Sequence, residues 1–176
     1  MKILKRILLI LLIIAIPLII GMFLSKDFSI EREVTINKPK QQVFDYIKYL
    51  KNQDHYSKWN MIDPSMKKTY NGTDGTVGFK YSWDSEDGHV GKGDQTIDGI
   101  RESERMDFGL QFYKPWKSKA NAYMTTEAIG DNMTKVKWGY AGKVPYTMTL
   151  FVNMDKGLGD ALQEGLNNLK NVLEKQ

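Results

Sequence analysis

The chain contains no cysteine. That excludes a disulfide framework, a thiolate zinc site, a thiol nucleophile and lipoprotein processing on a cysteine. Histidine is nearly as scarce: His55 and His89 are the 2 present, too few for a histidine-rich metal site. An excess of one charge is missing as well. Of the 25 basic residues, Lys2, Lys5 and Arg6 precede a long apolar run, which leaves 22 against 21 acidic residues. A nucleic-acid binder concentrates a basic excess on one face. None is present, so no nucleic acid is expected as a partner. Nucleotide and hydrolase motifs are also absent. "GLGDAL" (157–162) lacks the third glycine of a dinucleotide fingerprint and lies in a helical pattern. "GKGD" (91–94) lacks the serine or threonine of a phosphate loop, and no G-x-S-x-G occurs.

What is present begins with "ILLILLIIAIPLIIGMFL" (7–24), free of charge. Its length as a helix is roughly 27 Å, close to the hydrocarbon thickness of a bilayer. Pro17 in its middle is tolerated by a lipid-embedded helix. A cleaved signal would carry a shorter apolar core and a small-x-small site. The run is longer than that and no such site follows, which favours an uncleaved anchor. The cluster Lys2, Lys5, Arg6 orients it with the N-terminus in the cytoplasm. The expected organisation is an anchor over 1–26 and one domain over 27–176, standing on the outer side of the cytoplasmic membrane.

The domain reads as strand, helices, strands, helix. "FSIEREVTIN" (28–37) alternates, with Phe28, Ile30, Val34 and Ile36 on one face and Arg32 as the exception. Pro39 suits a first helical turn, and Val43, Phe44, Ile47 and Leu50 keep helical spacing. A second short helix or turn falls around His55 to Trp59. From Lys67 to about Gly142 strands repeat. "TVGFKYSWD" aligns Val77, Phe79, Tyr81 and Trp83; "DFGLQF" aligns Phe108, Leu110 and Phe112; "TKVKWGY" aligns Val136, Trp138 and Tyr140. "SKANAYMTTEA" aligns Ala120, Ala122 and Met124 and sends Tyr123 outward. Such alternation marks an antiparallel sheet with one packed and one wet face. A long amphipathic helix is expected from about Thr147 to Glu174. It carries Gly157, Gly159 and Gly165, each costing roughly 0.5–1 kcal/mol relative to alanine in a helix interior. One greasy sheet face and one long helix make a layered α+β domain, a curved sheet of about seven strands around the helix.

This order resembles the helix-grip fold of the START-related superfamily, which includes the major birch pollen allergen. The segments "VGKGDQTI" (90–97), "KPWKSKANAYMTTEAIGDNMTKVKWGYAG" (114–142) and "LFVNMDKGLGDALQEGLNNLKNVLE" (150–174) are similar to its bacterial SRPBCC branch, labelled polyketide cyclase/dehydrase and lipid transport. Pro39, Val43, Phe44 and Trp59 fit the same pattern. The resemblance covers residues 28–176 and implies an apolar cavity between sheet and C-terminal helix. It does not imply one activity, since the superfamily holds carriers, cyclases, hydroxylase domains and cochaperone-like domains.

The candidate ligand contacts are Phe79, Tyr81, Trp83, Phe108, Phe112, Trp138, Tyr140, Met148, Phe151 and Met154. Aromatics supply apolar area and, in Tyr and Trp, a polar handle; methionine adapts to irregular shapes. The same residues equally suit plain core packing. The expected function is a membrane-anchored binding module for a lipid or other small hydrophobic ligand, with no cofactor, metal or prosthetic group and no assigned catalytic residue. Two alternatives stay open. One is a cyclase- or hydrolase-like enzyme using Tyr81, Tyr140 or His89. The other is a tethered protein-interaction domain without a cavity, using loop residues Tyr113, Pro115 and Trp116. Asp84, Glu86 and Asp87 lack EF-hand spacing, and Asp94 with Asp98 reads as a wet strand face.

Overall fold

The computed structural model describes residues 2–23, 25–145 and 153–176. Its elements are α1 (Lys2–Phe23), β1 (Ser25–Ile36), α2 (Lys40–Ile47), a 3-10 turn (Leu50–His55), α3 (Lys58–Ile62), β2 (Lys67–Asn71), β3 (Lys80–Asp84), β4 (Lys92–Arg101), β5 (Arg105–Lys114), β6 (Ser118–Gly130), β7 (Met133–Pro145) and α4 (Met154–Glu174). The strands form one antiparallel 7-stranded sheet in the order β1-β7-β6-β5-β4-β3-β2. The fold is therefore α+β: a curved sheet with a long C-terminal helix on its concave face.

α1 contains the apolar run and stays helical through Pro17. Among the described residues, no helix is long and apolar enough to cross a membrane. Within 7–24, the side chains of Leu8, Ile14, Ile20, Met22 and Phe23, and all of Leu24, lie outside the described set.

Three element boundaries differ from the sequence reading. β1 starts at Ser25 rather than Phe28, so a boundary between residues 26 and 27 falls inside a strand. The strand expected from Thr76 begins only at Lys80. Gly78 takes φ +88°, a left-handed conformation that glycine adopts without strain, and turns the chain there. The expected C-terminal helix is described from Met154, with Asn153 as its cap accepting the Lys156 amide at 3.0 Å. Residues 147–152 of that expectation lie outside the described residues.

The sheet buries its concave face against α4 on one side and α2 on the other. Ile36, Val43, Phe44, Ile47, Met106, Met124, Val136, Leu162, Leu166, Leu169 and Leu173 are all at 0% exposure. Burying each such side chain contributes about 1.5–3 kcal/mol.

The glycines of α4 have separate explanations. Arg32, the polar exception in β1, lies opposite Trp138 in the register and shares the inner face. Its guanidinium reaches α4, donating to the Asp155 carboxylate at 2.9 Å and the Asp155 carbonyl at 3.2 Å. It occupies the space a side chain at Gly159 would need. Gly165 performs the same service for Trp138, whose ring carbon lies 2.8 Å from the position of an added Cβ. Both glycines let the sheet close on the helix. Among the described residues, nothing lies within 4 Å of a Cβ added at Gly157.

Candidate functional site

The strand register divides the concave face into rows. One row runs Phe28, Gly142, Ala120, Leu110, Gln95, Tyr81, Tyr70 across the sheet. The row above it holds Phe112, Gly93 and Trp83. These rows lie toward the upper end, where β1 begins and where the β3–β4 and β5–β6 turns sit. Leu110 and Tyr81 are buried here, while Phe28, Trp59, Trp83, Phe112, Ala120, Tyr140 and Leu158 are only partly buried.

Small residues explain this looser packing. A Cβ on Gly93 would lie 2.5 Å from the Trp83 ring, and one on Gly142 would lie 3.0 Å from the Phe28 ring. Both aromatics therefore lie down on a glycine instead of standing toward α4. Ala120 and Ala122 add no bulk between them. Trp138 does the opposite. It stands against Gly165 and meets Tyr56 edge-on at 5.8 Å and Trp59 at 6.4 Å. Trp59 also touches Tyr140, with ring centroids 6.2 Å apart. Trp138, Tyr56 and Trp59 thus make a floor, and the glycine-backed aromatics make a wall above it.

Few polar groups face this region. The Asn60 amide donates to the Asp54 carboxylate at 2.7 Å and the Tyr81 hydroxyl at 3.3 Å. Lys68 closes the cluster on Asp54 at 2.7 Å. Gln95 is 7% exposed, and its amide donates no hydrogen bond among the described residues. Burial pushes the phenols of Tyr81 and Tyr140 far up from their usual value, with Asp54 adding to the shift at Tyr81. At neutral pH both phenols hold their proton; the Tyr81 hydroxyl accepts from Asn60. His89 is exposed in the β3–β4 turn, its amide donating to Asp87 at 2.7 Å, away from the concave face.

The residues singled out from sequence are thus distributed over three settings. Phe79 and Phe108, each 1% exposed, are core. Tyr81 and Trp138, each at 3%, border the site, while Trp83, Phe112 and Tyr140 line it. Met148, Phe151 and the side chain of Met154 lie outside the described residues. Sequence reasoning did not single out Phe28, Leu158 or Gln95 as site residues, and it noted Trp59 only as part of the family pattern. Phe28 was legible as an inward strand position. Trp59 and Leu158 come from different helices, and nothing in their spacing places Trp59 against Tyr140 or Leu158 on the core. Asp84 pairs with Lys92 at 2.6 Å, and Asp94 accepts from Tyr113 at 2.8 Å. Among the described residues, no group of three or more His, Asp or Glu is placed to hold a metal.

The sequence matches no protein-family model and no curated protein. Solved structures do match. Norcoclaurine synthase from Thalictrum flavum, in complex with dopamine and hydroxybenzaldehyde, aligns at a TM-score of 0.61 and 13% identity, covering 90% of this chain and 93% of that one. Ara h 8.0201 aligns at 0.59 and 16%, covering 86% and 100%. The Aha1 dimer from Colwellia psychrerythraea aligns at 0.60 and 12%, covering 84% and 96%. Likeness at such identities establishes the fold, the helix-grip architecture of the birch-pollen-allergen-like proteins.

Proposed function

We propose that this chain is a membrane-anchored binding module that holds a lipid or another small apolar molecule between the upper rows of the sheet and α4. One observation carries the reading. Half-buried aromatics lie against Gly93 and Gly142 above a sealed floor of Trp138, Tyr56 and Trp59. A concave, mostly apolar surface with few polar groups is the usual form of a small-molecule site. Gln95, Tyr140 and the Tyr81–Asn60 pair would orient the polar end of the ligand. Norcoclaurine synthase, solved with two small aromatic molecules, supports this use of the architecture. Among the superfamily's branches, the lipid-transport one fits this reading. α1 is the anchor, with Lys2, Lys5 and Arg6 on the cytoplasmic side and the domain outside. Binding of this kind requires no metal or prosthetic group.

The test is native mass spectrometry of the 176-residue chain, released from a mild detergent. A discrete added mass that vanishes on denaturation is expected. It should be lost in Ala120→Trp, which fills the space beside Phe28. A clean apo mass, together with no uptake of a fluorescent fatty-acid analogue, would sink the proposal.

A further inference from the structure

The β5–β6 turn offers an exposed aromatic in a basic setting. Trp116 is 57% exposed and Tyr113 40%. Lys114, Lys117 and Lys119 around them are exposed too. Trp116 thus leaves more than half of its surface outside the packing of the domain.

Its position follows from the register. Ala120 of β6 faces Gly142 of β7, so continuing in step sets Ser118 level with Val144, and Val144 faces Lys26 of β1. Trp116 extends two residues beyond Ser118, and Leu24 stands two residues before Lys26. The turn (115–117) therefore lies at the end of the sheet beyond the Lys26 row. α1 ends at Phe23 and β1 begins at Ser25, so the helix joins the domain at this same end of the sheet. β6 is two strands from β1, so the turn stands beside the exit of α1 rather than across the domain.

We infer that the β5–β6 turn is a second membrane contact: Trp116 and Tyr113 seat in the headgroup region of an anionic bilayer, and Lys114, Lys117 and Lys119 pair with its phosphates. This rests on α1 being the anchor. Tryptophan and tyrosine favour the membrane–water interface, where an apolar ring and a polar edge are both accommodated. Lysines close to an anionic leaflet gain attraction that fades within a Debye length. Among the described residues, exposed acidic groups toward this end include Glu86, Asp87, Asp27, which pairs with Lys143 at 3.5 Å, and Asp155, which is held by Arg32. The contact would hold the upper end of the domain, and the concave site beneath it, against the surface from which an apolar ligand enters.

The absence of cysteine makes the test direct. Trp116→Cys and, as a control at the opposite end of the sheet, Val77→Cys (60% exposed in the wild type) are each labelled with an environment-sensitive fluorophore. The full chain is reconstituted into vesicles of phosphatidylcholine and phosphatidylglycerol that carry a shallow spin-labelled lipid. The label at 116 should be quenched severalfold more than the label at 77. Equal quenching at the two sites, in protein that floats with the vesicles and resists alkaline extraction, overturns the second contact and leaves the anchor standing. Selective quenching at 116 in protein that alkali strips off overturns the anchor and keeps the contact. Protein that does not float overturns both. Quenching at 116 that is equal in vesicles lacking phosphatidylglycerol overturns the role of the lysines.

Discussion

The lower and upper parts of one concave face are packed by different rules. Below, aliphatic and methionine side chains of the sheet meet a ladder of leucines on α4. Ile36, Met106, Met124 and Val136 are as fully buried as Leu166, Leu169 and Leu173. Above, the sheet substitutes glycine and alanine at Gly93, Ala120, Ala122 and Gly142, and its aromatics recline on them. The lower part is fully buried; the upper part keeps large apolar side chains only partly buried. A chain selected only for stability would fill both, since an interior gains dispersion and transfer energy with each contact. The difference separates the part that holds the fold from the part to which the proposed function assigns the ligand.

The widest separation should appear on truncation. Leu166→Ala removes a side chain at 0% exposure from the sealed part and should cost about 2–5 kcal/mol in urea unfolding. Phe112→Ala, in the half-buried upper rows, should cost under about 2 kcal/mol while abolishing uptake of an apolar probe. Equal losses of stability would erase the distinction. So would a Phe112→Ala protein that binds as well as the wild type.

This division also sets how much could be read from sequence. Strand alternation located the inward face of β5, β6 and β7, because a period of two survives any tertiary arrangement. It even showed Tyr123 pointing out. It could not tell Phe108, deep in the core, from Phe112, at its rim, since both obey the same alternation. That distinction depends on which row lies under α4, and a crossing helix leaves no trace in strand periodicity. Arg32 broke the pattern of β1 for a reason that lies far along the chain, at Asp155 and Gly159.

Smaller effects should separate the glycines of α4. Gly165→Ala drives a methyl into the Trp138 ring, which is pinned by Tyr56 and Trp59, and should cost about 1–3 kcal/mol. Gly157→Ala meets open space and should stabilise the chain by about 0.4–1 kcal/mol, by restricting the unfolded state. Thermal unfolding of the two variants measures both signs. A destabilised Gly157→Ala would show that the start of the helix has a packing partner after all. A harmless Gly165→Ala would mean that the floor beneath the proposed site is soft.

The smallest effect lies on the convex face, where the same device of an aromatic on a glycine serves the wet side. Tyr123 covers Gly139 across the β6–β7 pair and donates to Glu31, which Lys137 also holds at 2.9 Å. The Tyr123 hydrogen bond, and then that of Lys137, keep the Glu31 carboxyl below its ordinary 4.5. A carboxylate with a depressed folded pKa adds stability above its unfolded pKa and loses that contribution as pH falls through the folded value. Tyr123→Phe removes the larger cause, so the Glu31 pKa should move back toward 4.5. Its stability should then fall less steeply than the wild type's between about pH 5 and pH 3. The side chain is 36% exposed, and solvent screening keeps the difference small. Urea midpoints taken across that window decide it. Parallel profiles would mean that Tyr123 serves only to shield the glycine, and that aromatic-on-glycine pairs in this sheet are packing devices on both faces.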